Sequence, residues 1–278
     1  MRARGTRRTT PCGTGVMVWH EWGEGPTVVL LHGGYGSWTH WIRNIDALAA
    51  DHRVVAADLP GLGDSAMPPE PFTPWSLARI LADGLAEMRL QPPFHLVGFS
   101  FGALLAGPLA VILAGRVATL TLVAASGLGM RRPPIALKPW RQLDDADERA
   151  AVHAENLATL MFSEPSRIDD LAIGLQVHNT ARARIKSRPI ARTTVLAETL
   201  PDVTAPLSAI YGERDAAAMP DVTDRDIQLR ASHPELVFRV IPDAGHWVQY
   251  ELPGPFNAAL LGILRERARM PRTRPDNL

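Results

Sequence analysis

The chain is predicted to fold as an α/β protein whose mostly parallel sheet is flanked by helices. Three observations indicate this class. Residues 27–31 form a continuous apolar, β-branched run, which is typical of a strand buried on both faces. Strand and helix patterns alternate from residue 27 to residue 124, as in sheets built from crossover units. Residues 127–201 interrupt that alternation with helical stretches that prolines break, which predicts a helical insertion.

The predicted elements follow one another in a regular order. Before the insertion, strands are predicted over residues 16–22, 27–31, 53–58, 94–97 and 118–124, and helices over residues 38–50, 76–90 and from 103 onwards. In the first of these helices, Trp41 and Leu48 share an apolar face. After the insertion, strands over residues 207–211 and 236–241 are followed by a closing helix over residues 253–266.

Residues 13–126 and 202–270 are therefore expected to form the α/β core, and residues 127–201 a helical lid. The N-terminus is basic and lacks the apolar segment of a secretory signal, which predicts a disordered basic tail over residues 1–12. Residues 271–278 are expected to form a loose C-terminal tail. No apolar run approaches the roughly 18 residues that a membrane span needs, so no span is expected.

The composition argues against several classes of partner. Lys plus Arg and Asp plus Glu each number 29, so the net charge is zero and nothing indicates binding to nucleic acid or a membrane surface. Cys12 is the only cysteine, which excludes an intrachain disulfide and fits a cytoplasmic location. No group of His, Asp and Glu has metal-ligand spacing, so no metal is expected. A small-molecule substrate is the expected partner, and the oligomeric state stays open.

The stretch Gly98-Phe99-Ser100-Phe101-Gly102 carries the most chemical information. A predicted strand runs into it and a predicted helix leaves it, which is the setting of the G-x-S-x-G nucleophile elbow. The two glycines leave room for a turn that is too tight for larger residues. The Ser100 hydroxyl would then stand above the sheet as a candidate nucleophile.

A serine nucleophile needs a base, and the base needs a group that orients it. Two predicted strands downstream end close to candidates: one runs into Asp215 and the next runs into His246. Because catalytic groups gather at the carboxyl ends of parallel strands, we expect Ser100, Asp215 and His246 to meet. Glu213 stays open as a rival for the acid.

The oxyanion that forms during attack on a carbonyl needs preorganised backbone donors. The elbow supplies the N–H of Phe101. The loop His32-Gly33-Gly34 follows the first long buried strand, and the N–H of Gly34 is the candidate for the second donor. Asp58, at another strand end, is expected to stabilise a turn rather than to act in catalysis.

Five motifs occur together along the chain: His32-Gly33-Gly34, Asp58-Leu59-Pro60-Gly61-Leu62-Gly63-Asp64-Ser65, Gly98-Phe99-Ser100-Phe101-Gly102, Gly212-Glu213-Arg214-Asp215 and Gly245-His246-Trp247. With them, the chain resembles the α/β-hydrolase superfamily over nearly its whole length. The resemblance implies the α/β-hydrolase fold with a helical lid, and Ser100 as nucleophile, His246 as base and Asp215 as orienter. It also implies an oxyanion hole from the Gly34 and Phe101 amides, a bracing role for His32, and no cofactor.

The chain is also similar to the meta-cleavage-product hydrolases, which cut carbon–carbon bonds in dienoate products of aromatic breakdown. A tryptophan after the catalytic histidine is typical of that family, and Trp247 matches it. Phe99 departs from the family, because a small or polar residue usually precedes the nucleophile. Tyr35-Gly36-Ser37 departs as well, because a further glycine-rich segment is usual there.

Substrate contacts are expected from Phe99 and Trp247, which flank the predicted triad in sequence. Arg184 and Arg188 of the lid, with Arg182 beside them, are either a clamp for an anionic substrate group or a solvated helix face. The predicted activity is that of a serine hydrolase that cleaves a small to medium apolar carboxylic ester through an acyl-enzyme. The alternatives are carbon–carbon hydrolysis of dienoates and a non-catalytic ligand-binding protein of this fold.

Overall fold

The computed structural model describes residues 5–130 and 134–269, with the side chains of residues 267–269 left out. Eight strands form one sheet in the order β1-β2-β4-β3-β5-β6-β7-β8. They are β1 Thr6–Cys12, β2 Gly15–Trp22, β3 Thr27–Leu31, β4 Arg53–Asp58, β5 Phe94–Phe99, β6 Val117–Val123, β7 Leu207–Gly212 and β8 Val237–Ile241. Strands β3 to β8 pair in parallel, and β1 and β2 are antiparallel. The predicted fold class, an α/β protein with a mostly parallel sheet, is confirmed.

Helices cover both faces of the sheet. The α-helices are α1 Ile45–Ala49, α2 Pro74–Glu87, α3 Phe101–Ile112, α4 Ala146–Leu160, α5 Asp170–Ala181, α6 Ser187–Ala191, α7 Val195–Thr199, α8 Thr223–Ser232, α9 Val248–Glu251 and α10 Pro253–Arg269. Strand β3 is buried along its whole length, as its unbroken apolar sequence predicts. None of the helices in the described ranges has the length and apolar character needed to cross a bilayer.

The N-terminal segment corrects the prediction of a disordered tail over residues 1–12. Residues Thr6–Cys12 form the edge strand β1, which pairs with β2 around a tight turn at Gly13, where φ is +58°. Thr10 is buried in this strand, and its hydroxyl accepts a hydrogen bond from Trp19 Nε1 at 2.9 Å. The hairpin therefore gains both ladder hydrogen bonds and a side-chain anchor. Residues 1–4, and the predicted tail over residues 271–278, lie outside the described residues.

The helix predicted over residues 38–50 is a 3₁₀ turn, Trp38–Trp41, followed by the short helix α1. Two tertiary hydrogen bonds hold this stretch against the rest of the core. The Trp38 amide donates to Asp58 Oδ1 at 2.9 Å, and the Asn44 side chain donates to the Gln249 carbonyl oxygen at 2.9 Å. Trp41 and Leu48 are nevertheless fully buried, so the apolar face was identified although the helix was not continuous.

The segment between β6 and β7 covers the carboxyl ends of the strands. Its described part contains α4 to α7 and the 3₁₀ turns Pro165–Arg167 and Leu200–Asp202, and no strand. Asp145 caps the first of these helices by accepting from the backbone amides of Asp147 and Glu148. The segment is tied to the core by ion pairs of Arg182 with Asp64 and of Arg43 with Asp169.

Candidate active site

Ser100 lies in a strained turn between β5 and α3, with φ 51° and ψ −108°. Its amide donates to the Val123 carbonyl oxygen at 2.8 Å, which fixes the turn against β6. A Cβ atom on Gly98 would lie 2.6 Å from the Gly102 oxygen, and one on Gly102 would lie 2.5 Å from the Leu31 oxygen. Only glycine fits at these two positions without a backbone shift, because real Cβ atoms do not approach so closely.

Ser100, His246 and Asp215 form one hydrogen-bonded chain. His246 Nε2 lies 3.0 Å from Ser100 Oγ, and His246 Nδ1 lies 2.8 Å from Asp215 Oδ1. The carboxylate accepts, so Nδ1 carries the proton and Nε2 is left to accept the proton of the serine hydroxyl. Asp215 Oδ1 also accepts from the Ala217 amide at 2.8 Å, which holds the carboxylate in place. The rival acid, Glu213, instead accepts from the Asp243 amide at 3.1 Å.

Gly34 and Phe101 lie together beside the serine. A Cβ atom on Gly34 would be 3.7 Å from Phe101 Cβ and only 2.4 Å from Ser187 Oγ, so a larger residue there would displace the Ser187 hydroxyl. Both residues border the same cavity as Ser100. Phe101 is the first residue of α3, where backbone N–H groups have no partner within the helix. Gly34 and Phe101 therefore lie on the same side of the cavity as the serine, as the predicted oxyanion hole requires.

Two buried histidines hold the loop that carries Gly34. His32 Nε2 accepts from the Leu59 amide at 2.9 Å, and its Nδ1 lies 2.7 Å from the Gly33 oxygen as the donor of the pair. Burial lowers the pKa of His32 to about 4, so the ring is neutral near neutral pH. His40 Nδ1 accepts from the Gly33 amide at 3.2 Å, and its pKa is lowered well below the usual range, first by burial.

His40 is a site residue that sequence reasoning missed. It borders the cavity and packs against Phe99, with ring centroids 5.5 Å apart. Its position inside a predicted helix gave no sign of this contact. Asp58, by contrast, behaves as the sequence suggested: it accepts from the Trp38 and Asp64 amides at 2.9 and 3.0 Å and so stabilises the turn after β4.

A cavity of about 850 Å³ opens above Ser100, between the carboxyl ends of the strands and the helical segment. Phe99 borders it and contacts the catalytic region, with its ring centroid 5.2 Å from that of His246. Arg188 borders it from α6, exposed to solvent, with its guanidinium 5.6 Å above the Tyr35 ring. Arg188 therefore stands where a substrate can reach it, whereas Phe99 is only 1% exposed.

Two of the expected substrate contacts are wrong. Trp247 is fully buried outside the cavity lining: its Nε1 donates to the His40 oxygen at 3.0 Å, and its ring stacks on Tyr250 at 4.1 Å. Arg184 turns away from the cavity and donates to the backbone oxygens of Gly63 and Ser65. Trp247 was selected because it follows His246, and Arg184 because it lies in the predicted lid. Neither position in the sequence shows where the side chain points.

Glu251 is a second residue that sequence reasoning missed. Its carboxylate is completely buried and accepts from the Ser163 and Glu164 amides, both at 3.1 Å, and from the Gly245 amide at 2.6 Å. Arg167 Nη1 adds a charged contact at 3.3 Å. One carboxylate therefore fastens the loop after α4 to the residue that precedes His246. A lone glutamate in a short helix gives no sequence signal for such a role.

The described residues contain no group of His, Cys, Asp and Glu that could hold a metal ion. The site brings together a serine hydroxyl, an imidazole, a buried carboxylate and the backbone of Gly34 and Phe101. Such a set can carry out acyl transfer through a covalent intermediate.

Comparison with known proteins agrees with this geometry. A family model described as the alpha/beta hydrolase family matches residues 28–259. The chain is 30% identical over 280 residues to the dihydrolipoyllysine-residue acetyltransferase component of an acetoin cleaving system from Pseudomonas putida, covering 90% of this chain and 67% of that protein. It is 26% identical to a 2-hydroxy-6-oxo-6-(2'-aminophenyl)hexa-2,4-dienoic acid hydrolase from Metapseudomonas resinovorans, covering 91% of this chain and 88% of that one.

A solved structure shows the same fold. The meta-cleavage product hydrolase from Pseudomonas fluorescens IP01 superposes with a TM-score of 0.78 at 20% identity, covering 93% of this chain and 97% of that one. The family match spans β3 to α10, which includes the elbow and the two strand ends that bear Asp215 and His246. The chain therefore belongs to the alpha/beta hydrolase family, and it is a hydrolase of the α/β fold.

Proposed function

We propose that the protein is a serine hydrolase that cleaves small to medium carboxylic esters through an acyl-enzyme intermediate. The observation that supports this most directly is the hydrogen-bonded chain from Ser100 through His246 to Asp215, at 3.0 and 2.8 Å. It ends in a cavity large enough for a medium-sized substrate. The family and the fold agree with the proposal without specifying the bond that is cleaved.

In the proposed reaction, Ser100 Oγ attacks the ester carbonyl carbon while His246 Nε2 takes its proton. Asp215 keeps the imidazole in the required tautomer and stabilises the imidazolium. The N–H groups of Gly34 and Phe101 bind the developing oxyanion. His246 then gives the proton to the leaving alcohol, and water attacks the acyl-enzyme by the same path in reverse.

Carbon–carbon hydrolysis of a dienoate is the second candidate. It is favoured by the relative from Metapseudomonas resinovorans, which matches over most of both chains. The large, buried Phe99 directly before the nucleophile departs from that family, in which a small or polar residue is usual at this position. We therefore keep ester hydrolysis as the first proposal.

Hydrolysis of p-nitrophenyl acetate, butyrate and octanoate by the wild type and by Ser100→Ala tests the proposal. We expect turnover by the wild type, with a chain-length optimum set by the cavity, and loss of turnover in the variant. Ser126→Ala is a suitable control, because this neighbouring serine borders the same cavity but donates its hydroxyl to the Ser100 carbonyl oxygen at 3.1 Å. Turnover that persists in Ser100→Ala, or that is lost only in Ser126→Ala, would contradict it.

A further inference from the structure

Charged side chains of one sign border the catalytic cavity. Among the described residues, no aspartate or glutamate lines this cavity. Five cationic residues do: Lys138, Arg141, Arg188, Arg192 and Arg225. The whole chain carries equal numbers of acidic and basic residues, so this one-sided lining is a local property. A cavity with this lining attracts anions.

Four of the five cations are exposed at the mouth of the cavity, where water solvates them. Lys138 has a partner in Glu155, and the Arg141 guanidinium lies 4.6 Å above the Trp140 ring. Arg225 differs from them because only 4% of its surface is exposed. Arg225 is the buried cation among the five, so water cannot solvate its charge as it does the others.

Arg225 has few partners for its five N–H donors. Its Nη2 donates to the Ala217 carbonyl oxygen at 3.1 Å, and no carboxylate of the described residues lies within salt-bridge distance of it. Removing an arginine from water is costly unless an opposite charge offsets the desolvation. The buried Asp215 carboxylate acts with Arg225 on Tyr211, but it accepts from His246 and forms no salt bridge with Arg225. A ligand anion in the cavity would supply that charge.

The position of Arg225 relates it to the reaction centre. Arg225 lies in the first turn of α8, directly after the loop that bears Asp215. Its acceptor, Ala217, is the residue whose amide also donates to Asp215 Oδ1 at 2.8 Å. Arg225 and Ser100 both border the catalytic cavity.

We propose that Arg225 binds a carboxylate group of the substrate, at a distance from the bond that Ser100 attacks. The proposal rests on the proposed function and refines its substrate class, from an apolar ester to an ester that bears a free carboxylate, such as a hemiester of a dicarboxylic acid. The planar guanidinium fork suits a carboxylate, because two parallel N–H groups can contact both oxygens. The cations at the mouth assist entry of the anion.

Equilibrium binding tests the anion site without turnover. Glutarate binding is measured by calorimetry to the full chain carrying Ser100→Ala, and to the same chain with Arg225→Gln or Arg230→Gln added. Arg230 is a matched control, because it lies on the same helix, is exposed and pairs with Asp226. We expect glutarate to bind Ser100→Ala, and the dissociation constant to rise about tenfold to a hundredfold with Arg225→Gln but not with Arg230→Gln.

Kinetics test the specificity. The wild type is expected to prefer the mono-p-nitrophenyl ester of glutaric acid to p-nitrophenyl butyrate in kcat/KM. Arg225→Gln should lower that ratio about tenfold or more, mainly through KM of the charged ester, and Arg225→Lys should lower it less. Equal losses on both esters would assign Arg225 a structural role in the Asp215 loop and overturn the proposal.

The two proposals fail in different ways. A wild type that hydrolyses both esters equally well, with no glutarate binding, would overturn the anion site and leave the esterase proposal intact. Arg225-dependent glutarate binding without ester turnover would overturn the esterase proposal and support the anion site. If Arg225→Gln does not fold, the ratio of kcat/KM for the two esters is compared between the wild type and Arg225→Lys, because lysine keeps the charge but loses the planar guanidinium. An unchanged ratio in Arg225→Lys would then overturn the proposal.

Discussion

Asp215 selects one tautomer of His246, because its Oδ1 accepts from the ring while it is also held by the Ala217 amide. Asp215→Asn can present an amide N–H to Nδ1 instead, which reverses the tautomer and leaves Nε2 unable to accept from Ser100. We expect kcat for ester hydrolysis to fall by roughly 10⁴-fold, as in other serine triads. Steady-state kinetics on a p-nitrophenyl ester measure this.

The control for that substitution is Glu213→Gln. Glu213 is exposed, lies on the same loop and accepts from the Asp243 amide rather than from the histidine. Its variant should keep a rate close to that of the wild type. A large loss with Glu213→Gln together with a small loss with Asp215→Asn would show that the acid is assigned to the wrong residue.

Among single residues, the sequence predicts the place of those that closely follow a strand of the sheet. Ser100, Asp215 and His246 follow three strand ends, and the parallel sheet brings these ends to one edge. Arg225 and Glu251 could not be predicted in the same way, because their contacts depend on how loops pack in three dimensions. Trp247 was placed in the substrate pocket for its position after His246, but its side chain points into the core.

Among the elements, the elbow makes the strictest demand on sequence. A Cβ atom on Gly98 would lie 2.6 Å from the Gly102 oxygen and 2.7 Å from Ala103 Cα, so Gly98→Ala must displace backbone. We expect the free energy of unfolding to fall by about 1–3 kcal/mol, with loss of ester turnover. Urea unfolding and kinetics on the same preparation measure both.

Gly174→Ala is the control for this glycine. Gly174 lies within α5, and a Cβ atom there would meet nothing within 4 Å. Alanine should stabilise the helix by roughly 0.5–1 kcal/mol, because it restricts the unfolded chain. Equal destabilisation by the two variants would contradict the steric explanation of the elbow.

Glu251 links the loop after α4 to the loop that precedes His246. Glu251→Gln replaces one acceptor oxygen by a donor, which would face the amides of Ser163 and Glu164 if it replaces Oε1, or those of Ser163 and Gly245 if it replaces Oε2. We expect the free energy of unfolding to drop by about 2–4 kcal/mol, with faster hydrogen exchange at these three amides. Hydrogen-exchange mass spectrometry on peptides that contain Ser163, Glu164 and Gly245 measures the exchange rates.

Glu164→Gln serves as the control for Glu251, since Glu164 is exposed and its side-chain contact is with Ser166. It should change neither stability nor exchange at Gly245 by a measurable amount. An unchanged exchange pattern in Glu251→Gln would mean that the loop before His246 is held by other contacts.

The elements also differ in how far the sequence predicts them. The strands β3 and β4 are buried and apolar, so their patterns stand out. Strand β1 was missed because it is an edge strand: in Thr6–Cys12 only Thr10 and Cys12 are buried, and the remaining residues look like a basic tail. The stretch predicted as one helix over residues 38–50 is a 3₁₀ turn followed by a short helix, and its hydrogen bonds to Asp58 and Gln249 are tertiary contacts that no local pattern reveals.

For the molecule as a whole, buried histidines set a pH dependence of stability. Burial lowers the pKa of His32 and of His95 to about 4, below the roughly 6.5 of a histidine in the unfolded chain. Below pH 6.5 the unfolded chain binds protons that the folded chain does not. Stability is therefore fully present above about pH 6.5 and is lost progressively down to about pH 4, by about 1.4 kcal/mol per pH unit for each histidine.

Urea unfolding at pH 7, 6 and 5 measures this dependence. The free energy of unfolding should fall more steeply between pH 6 and 5 than between pH 7 and 6, as the unfolded histidines titrate. His95→Gln, which removes one of these buried histidines and whose hydrogen-bond partner is Thr119, should reduce the slope. A stability that is flat from pH 7 to 5 would contradict the burial of neutral histidines.

The most direct test of the whole proposal is the covalent labelling of Ser100. The folded protein is treated with a fluorophosphonate, digested and analysed by peptide mass spectrometry, with Ser100→Ala and His246→Ala treated in parallel. We predict one adduct, on Ser100, that is absent from Ser100→Ala and slow to form in His246→Ala, because the base activates the hydroxyl. No adduct on folded wild type, or an adduct on another serine, would contradict a Ser100 nucleophile.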